Sequence, residues 1–170
     1  MDVLEAIRTK RAVRQFKPQR LTEQEVRAIL NAGRRSQSSK NTQPWRFIAI
    51  QEPERLQQVA TLGQWAGHLA GAALGVFILT PDPTSKFQVL FDAGQCASYM
   101  QLAAWDLGIG SCIASIYEAE RAREMLGFPP EYHARFALSF GYPLEPDAIT
   151  RPPKKGGREP FDEVVHFETW

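Results

Sequence analysis

Cysteine, histidine and long apolar runs are all scarce in this chain, and each scarcity removes a class of function. Its 170 residues hold two cysteines, Cys96 and Cys112, and three histidines, His68, His133 and His166. Neither cysteine belongs to a CxxC pair or neighbours a histidine, so neither a metal centre nor a disulfide is indicated. Both read as small buried hydrophobes. No histidine stands near a serine or cysteine as a triad would need, and HExxH, GxSxG and Walker sequences are missing. Gly108-Ile109-Gly110 follows a helical stretch and has Ile113 where a dinucleotide fingerprint needs its third glycine. The longest apolar run, Leu69 to Leu79, is broken by Gly71 and Gly75 and is too short for a bilayer. The amino-terminal MDVLEAIRTKR is acidic and amphipathic, unlike a secretory leader, so a cytoplasmic protein is expected. Charge of one sign is lacking too: the net charge is +1 and the pI ≈ 7.8, which disfavours a nucleic-acid partner. No internal repeats occur. The length fits one domain, enough to bury about 68–70% of the unfolded surface.

What is present is a series of well-punctuated elements. Asp2 with Glu5 caps a first helix through Val3, Ala6 and Ile7, which ends in the basic run Lys10, Arg11 and Arg14. Thr22 with Glu25 opens a second helix carrying Val26, Ile29 and Leu30, with Gly33 as its expected stop. Trp45–Gln51 reads as a strand, Pro53 opens a helix through Leu56, Val59 and Ala60, and Ala73–Thr80 reads as a central strand. His68, in the weak turn between them, fits a surface or packing role as well as a ligand. The longest helix spans Lys86–Leu107, opened by Thr84 or Ser85. It is apolar on nearly every side, so a second subunit is expected to cover it. Strand Gly110–Ile116, helix Glu118–Leu126 and strand Arg135–Phe140 follow. Leu144–Pro160 reads as an arm, ending in Glu163–Phe167 with strand propensity. The expected organisation is a domain over residues 1–150 and an arm over 151–170, exchanged with a partner subunit.

Between the second helix and its following strand lies Ser36–Phe47, SQSSKNTQPWRF, a polar loop that cannot bury itself yet leads directly into the core. With this loop and basic clusters at Lys10, Arg11 and Arg14, at Arg34 and Arg35, and at Lys154, Lys155 and Arg158, the inventory suits an organic phosphate bearing a flat polar ring. Taken alone, the first basic run equally fits a solvated face.

Four segments together resemble the FMN-dependent nitroreductase family: Lys10-Arg11-Ala12-Val13-Arg14-Gln15-Phe16, Ser38-Ser39-Lys40-Asn41-Thr42-Gln43-Pro44-Trp45-Arg46-Phe47, Asp92-Ala93-Gly94 with Leu107-Gly108-Ile109-Gly110-Ser111, and Arg158-Glu159-Pro160 ahead of Glu163-Val164-Val165. The resemblance implies a three-layer α+β fold, with a central mixed, mostly antiparallel sheet flanked by helices, built as an intertwined homodimer with FMN at the subunit interface. It implies phosphate contacts from Lys10, Arg11, Arg14 and Arg158, with Ala12 and Lys155 also among the cofactor-binding residues, flavin contacts from Ser38, Ser39 and Asn41 of the partner, and ring contacts near Ile113, Ala114 and Ser115. The carboxy-terminal strand would join the partner's sheet. Chemistry would run in alternating halves, with NAD(P)H reducing the flavin and leaving before a nitroaromatic or quinone takes the electrons. The flavin would carry that chemistry, so no catalytic side chain and no metal is expected. Arg46 and Lys40 are candidates for positive charge near the ring.

The sequence departs from the family pattern at Ala12, where Ser is usual, at Gln37, where Pro is usual, and at Cys112-Ile113-Ala114, which lacks the usual Trp and Gly. The Thr80–Lys86 connection leaves no room for the helical lid of larger relatives. That keeps alternatives open on the same fold: a flavin-binding or flavin-sequestering protein, or an enzyme of another class such as flavin fragmentation or reductive dehalogenation.

Overall fold

Helix α1 (Val3–Thr9) begins where the Asp2 carboxylate accepts a hydrogen bond from the Leu4 N–H at 2.9 Å. Helix α2 (Glu23–Arg34) has the full capping box: Thr22 N–H donates to Glu25 Oε2 at 2.7 Å, and Glu25 N–H donates to Thr22 Oγ1 at 3.2 Å. The computed structural model describes residues 2–152 and 156–170. The remaining elements are β1 (Arg46–Ile50), α3 (Pro53–Val59), β2 (Leu74–Thr80), α4 (Gln88–Asp106), β3 (Gly110–Ser115), α5 (Ala119–Leu126), β4 (His133–Gly141) and α6 (Phe161–Val164). Short 3-10 turns occur at Ser39–Asn41, Ala60–Leu62, Gly67–Leu69 and Pro146–Ile149.

The strands form one sheet in the order β1-β2-β4-β3, antiparallel at every step. Parallel pairing among the described residues is confined to a bridge between Ala12 and Ser111 beside the sheet. Alternation along the strands separates two cores. Leu74, Val76, Ile78, Leu138 and Phe140 meet α2 and α4 on one face, while Phe77, Leu79, Ala114 and Ala137 meet α3 and α5 on the other. Every residue of β2 is buried, as a strand covered on both faces must be. The architecture is therefore the expected three-layer α+β sandwich.

Three local expectations change. Gly33 does not stop α2: it lies inside the helix, where a Cβ would stand 2.2 Å from Met100 Cε, so its role is close packing on α4. Helix α4 starts at Gln88 with no side-chain cap, because Thr84 donates its N–H to Asp82 Oδ1 at 2.9 Å in the preceding turn. The Glu163–Phe167 strand gives way at Glu163 and Val164 to α6. Pro160 precedes its first turn, Asp162 and Glu163 lie in that turn, and the Val165 N–H donates to Phe161 O at 2.9 Å.

Candidate functional site

Lys10 ends α1, and the chain then becomes extended against the sheet. Val13 N–H donates to Ser111 O at 2.9 Å, Leu144 N–H to Gln15 O at 3.0 Å, and Lys17 N–H to Tyr142 O at 2.8 Å. The approach is close enough to need glycine at position 110, where a Cβ would fall 2.7 Å from Val13 Cβ. Val13 is buried, so period-two geometry leaves Ala12 and Arg14 exposed. Burial holds the Lys10 ammonium below its ordinary pKa. Burial pushes the Cys112 thiol up, with Arg14 and Lys10 acting in the opposite direction as near positive charges. His68 reaches the same place, with Nδ1 2.7 Å from Ser139 Oγ; burial and then the Arg14 charge keep its pKa below the usual imidazole value.

Arg11 is placed otherwise. Its Nη1 donates to the carbonyls of Arg8 at 2.9 Å and Lys10 at 3.0 Å, so it closes the end of α1, and its Nε is buried without a partner among the described residues. Among the described residues, ion pairs engage Arg20, Arg27, Arg123 and Arg151, and none engages Lys10, Arg11 or Arg14. A 240 Å³ cleft beside Arg14 is lined also by Ala12, Gln15, Glu145, Ala148 and Arg151. Arg151 is already neutralised there by Asp147 and Glu145, which raise its pKa. Lys10 and Arg14 therefore form a cationic set without acidic partners, and its donors suit a phosphate.

The Ser38–Gln43 loop is built differently. Lys40, Asn41 and Gln43 have φ of 51°, 55° and 47°, the left-handed region, which costs about 1 kcal/mol or more for a side-chain-bearing residue. The loop is pinned from both sides: Ser39 N–H donates to both oxygens of buried Asp92 at 3.2 Å, and Gln43 N–H donates to Ser38 Oγ at 3.0 Å. Trp45, 4% exposed, anchors its exit in the core. Asn41 Oδ1 accepts from Gln43 Nε2 at 3.2 Å. Ser38 and Ser39 border a 390 Å³ cleft with Gln37, Phe87, Phe91 and Gln95.

These two groups stand at opposite ends of α4. Asp92 holds the loop in the early turns of the helix, whereas the basic segment pairs with Ser111, just beyond the helix's far end. A helix of 19 residues is about 28 Å long at 1.5 Å per residue. On β3, Ile113 is 45% exposed, Ser115 is half-buried, and Ala114 turns its methyl into the α3 and α5 core, leaving only its main chain for a ligand. Arg158 is exposed on the arm, and Lys155 lies outside the described residues. Arg46 is committed elsewhere, its Nη1 donating to Trp45 O at 2.8 Å and its guanidinium 5.8 Å from the Tyr132 ring centroid. His68 and Asp92 are the additions. No local pattern marks His68, because its partner Ser139 is 71 positions away.

The model of the "Nitroreductase family" matches residues 7–142. A Methanothermobacter thermautotrophicus protein with the provisional name NADH dehydrogenase/NAD(P)H nitroreductase is 25% identical over 177 residues, covering 100% of this chain and 88% of its own. The FMN reductase (NADPH) of Bacillus subtilis is 25% identical over 194 residues, with 99% and 74% covered. Among solved structures, an FMN-dependent nitroreductase from Clostridium difficile superposes with a TM-score of 0.85 at 26% identity, covering 99% of this chain and 100% of its own. Since the family match runs from α1 to the end of β4 and takes in both the basic segment and the loop, this chain belongs to the nitroreductase family.

Proposed function

We propose that this protein is an FMN-dependent oxidoreductase that draws electrons from NAD(P)H and passes them to a small organic acceptor such as a nitroaromatic or quinone. The observation that carries this reading is the cationic set of Lys10 and Arg14, bonded into the sheet edge and paired with no carboxylate among the described residues. FMN, when bound, supplies electron-transfer chemistry that none of these side chains has. Lys10 and Arg14 bind its phosphate, Ala12 contributes its main chain there, and Arg158 adds charge from the arm. Ile113 and the main chain of Ala114 and Ser115 border the ring.

Ser38, Ser39 and Asn41 hang from Asp92, about 21 Å at 1.5 Å per residue from the far end of α4 near which the basic segment is paired, so they serve a different nucleotide from Lys10 of their own chain. A homodimer resolves this, with each loop serving the partner's site. Support comes from what one subunit leaves uncovered: Phe87 and Phe91 on α4 are 77% and 72% exposed, with Leu90, Tyr99 and Leu107 also exposed, and Phe161, Val164, Phe167 and Trp170 protrude from the arm. Residues 156–170 are then an arm laid across the partner. Flavin sequestration is the second reading, favoured by the short Pro81–Phe87 connection, which offers no lid over the site.

The purified protein is expected to be yellow or to become so with added FMN, to sediment as a dimer, and to oxidise NAD(P)H when a nitroaromatic is supplied. A colourless protein that takes up no FMN would overturn the proposal; tight FMN binding with negligible turnover would select the sequestering reading.

A further inference from the structure

His68 stands where Gly75, Ser139 and Cys112 run side by side across the sheet. The Ser139 hydroxyl lies 2.7 Å from His68 Nδ1 and 3.4 Å from the Cys112 carbonyl oxygen, and when it turns its proton to Cys112 it accepts from Nδ1–H. The ring's second nitrogen is Nε2. That nitrogen is buried and has no partner among the described residues. A buried polar atom left this way marks the place of a missing group.

The charged group facing the ring is Arg14, on the extended basic segment, and Lys10 lies beyond it next to Cys112. Cys112 is the other titratable member on β3, β4 contributes the Ser139 hydroxyl, and the Ile113 main chain acts to favour the charged ring. No carboxylate is among the groups acting on His68.

We propose that His68 completes the cationic set of Lys10 and Arg14, the ring taking up a proton from solvent as its Nε2 binds an anionic oxygen of the flavin nucleotide's phosphate. The inference rests on the FMN reading above. Without ligand, the buried ring beside Arg14 stays neutral. An anion placed among the three groups reverses the local field and favours the imidazolium, in which both ring nitrogens are donors. The oxygen belongs to the phosphate, the anionic group of the oxidised nucleotide.

The test is calorimetric titration of the apoprotein with FMN at pH 7.5 in two buffers of different ionisation enthalpy. Net proton uptake approaching one per FMN is expected for the native protein, and a clear drop for His68→Gln; any contribution from the phosphate's own ionisation is common to both. The FMN Kd of the native protein should rise by up to about tenfold per pH unit above neutrality, and less steeply in the variant. Riboflavin, which lacks the phosphate, should bring no proton uptake at His68; uptake that persists with riboflavin overturns the inference. Equal uptake by native protein and variant, with both binding FMN, overturns the inference while leaving the proposed function intact. Failure of the native apoprotein to bind FMN overturns the proposed function instead. Should His68→Gln not fold, imidazole nitrogen shifts of the native protein decide: His68 should pass from the neutral to the doubly protonated pattern on FMN addition, and an unchanged pattern overturns the inference.

Discussion

The basic segment at residues 10–14 and the polar loop at residues 38–43 carry comparable hydrogen-bonding chemistry but are held in opposite ways. The basic segment is extended and bonded through its main chain to Ser111 and Tyr142, so its side chains are set by the sheet. The loop has three consecutive or near-consecutive left-handed residues and hangs on one buried carboxylate, Asp92, on α4. The first is positioned by cooperative strand pairing, the second by a single side chain working against local strain. Damage to the first should therefore reach the fold as well as the ligand, and damage to the second should stay local.

The sharpest way to break this contrast is Gly110→Val, which forces a branched side chain into the 2.7 Å gap to Val13 Cβ. Overpacking of this kind costs about 1–3 kcal/mol, and here the upper end is expected, with loss of FMN binding because Arg14 moves too. Urea denaturation and FMN titration would read both effects; an unaltered midpoint would show that the segment is not pinned there. Arg14→Ala should weaken FMN binding by about 1.5–3 kcal/mol, as for a charged hydrogen bond, while leaving the denaturation midpoint nearly unchanged because the side chain is exposed.

Asp92→Ala leaves the Ser39 N–H without its acceptor, at a cost of about 1 kcal/mol for this part-buried bond. Faster amide exchange confined to residues 38–43 is expected; exchange that spreads to β1 would show the loop to be integral to the sheet. The smallest effect concerns pH. His68 has a folded-state pKa below its unfolded value, so the unfolded chain binds more protons between the two. Its contribution to stability is full above about pH 6.5 and is lost as pH falls toward the folded value. Urea midpoints of the apoprotein at pH 7.5 and 5.5 should differ less in His68→Gln than in the native protein.

Elements whose signals are local were readable from residue order. Thr22 and Glu25 meet three residues apart, Gly127 ends α5 with φ 68°, and Pro53 opens α3. Ala73–Thr80 was legible as a central strand because a run apolar at every position requires cover on both faces. Gly33 was not legible as a packing glycine, since its neighbour Met100 is distant in sequence and a glycine near a helix end reads as a stop. Arg11 sat in the basic run with Lys10 and Arg14, yet bending back to the α1 carbonyls separates it from them. Glu163 and Val164 carry strand propensity, but the chain offers them no strand to pair with, and a helical turn closes instead.

By itself, then, the sequence determined the order of the elements from α1 to β4 and the four segments whose nitroreductase likeness implied the three-layer α+β class, because capping, periodicity and short motifs act over a few residues. Tertiary structure alone decided that His68 joins Arg14 across the sheet, that Ala114 turns inward, and that the loop and the basic segment lie at opposite ends of α4. Those outcomes depend on which strand lies beside which and on where a long helix begins and ends, quantities that are set only when the whole core packs.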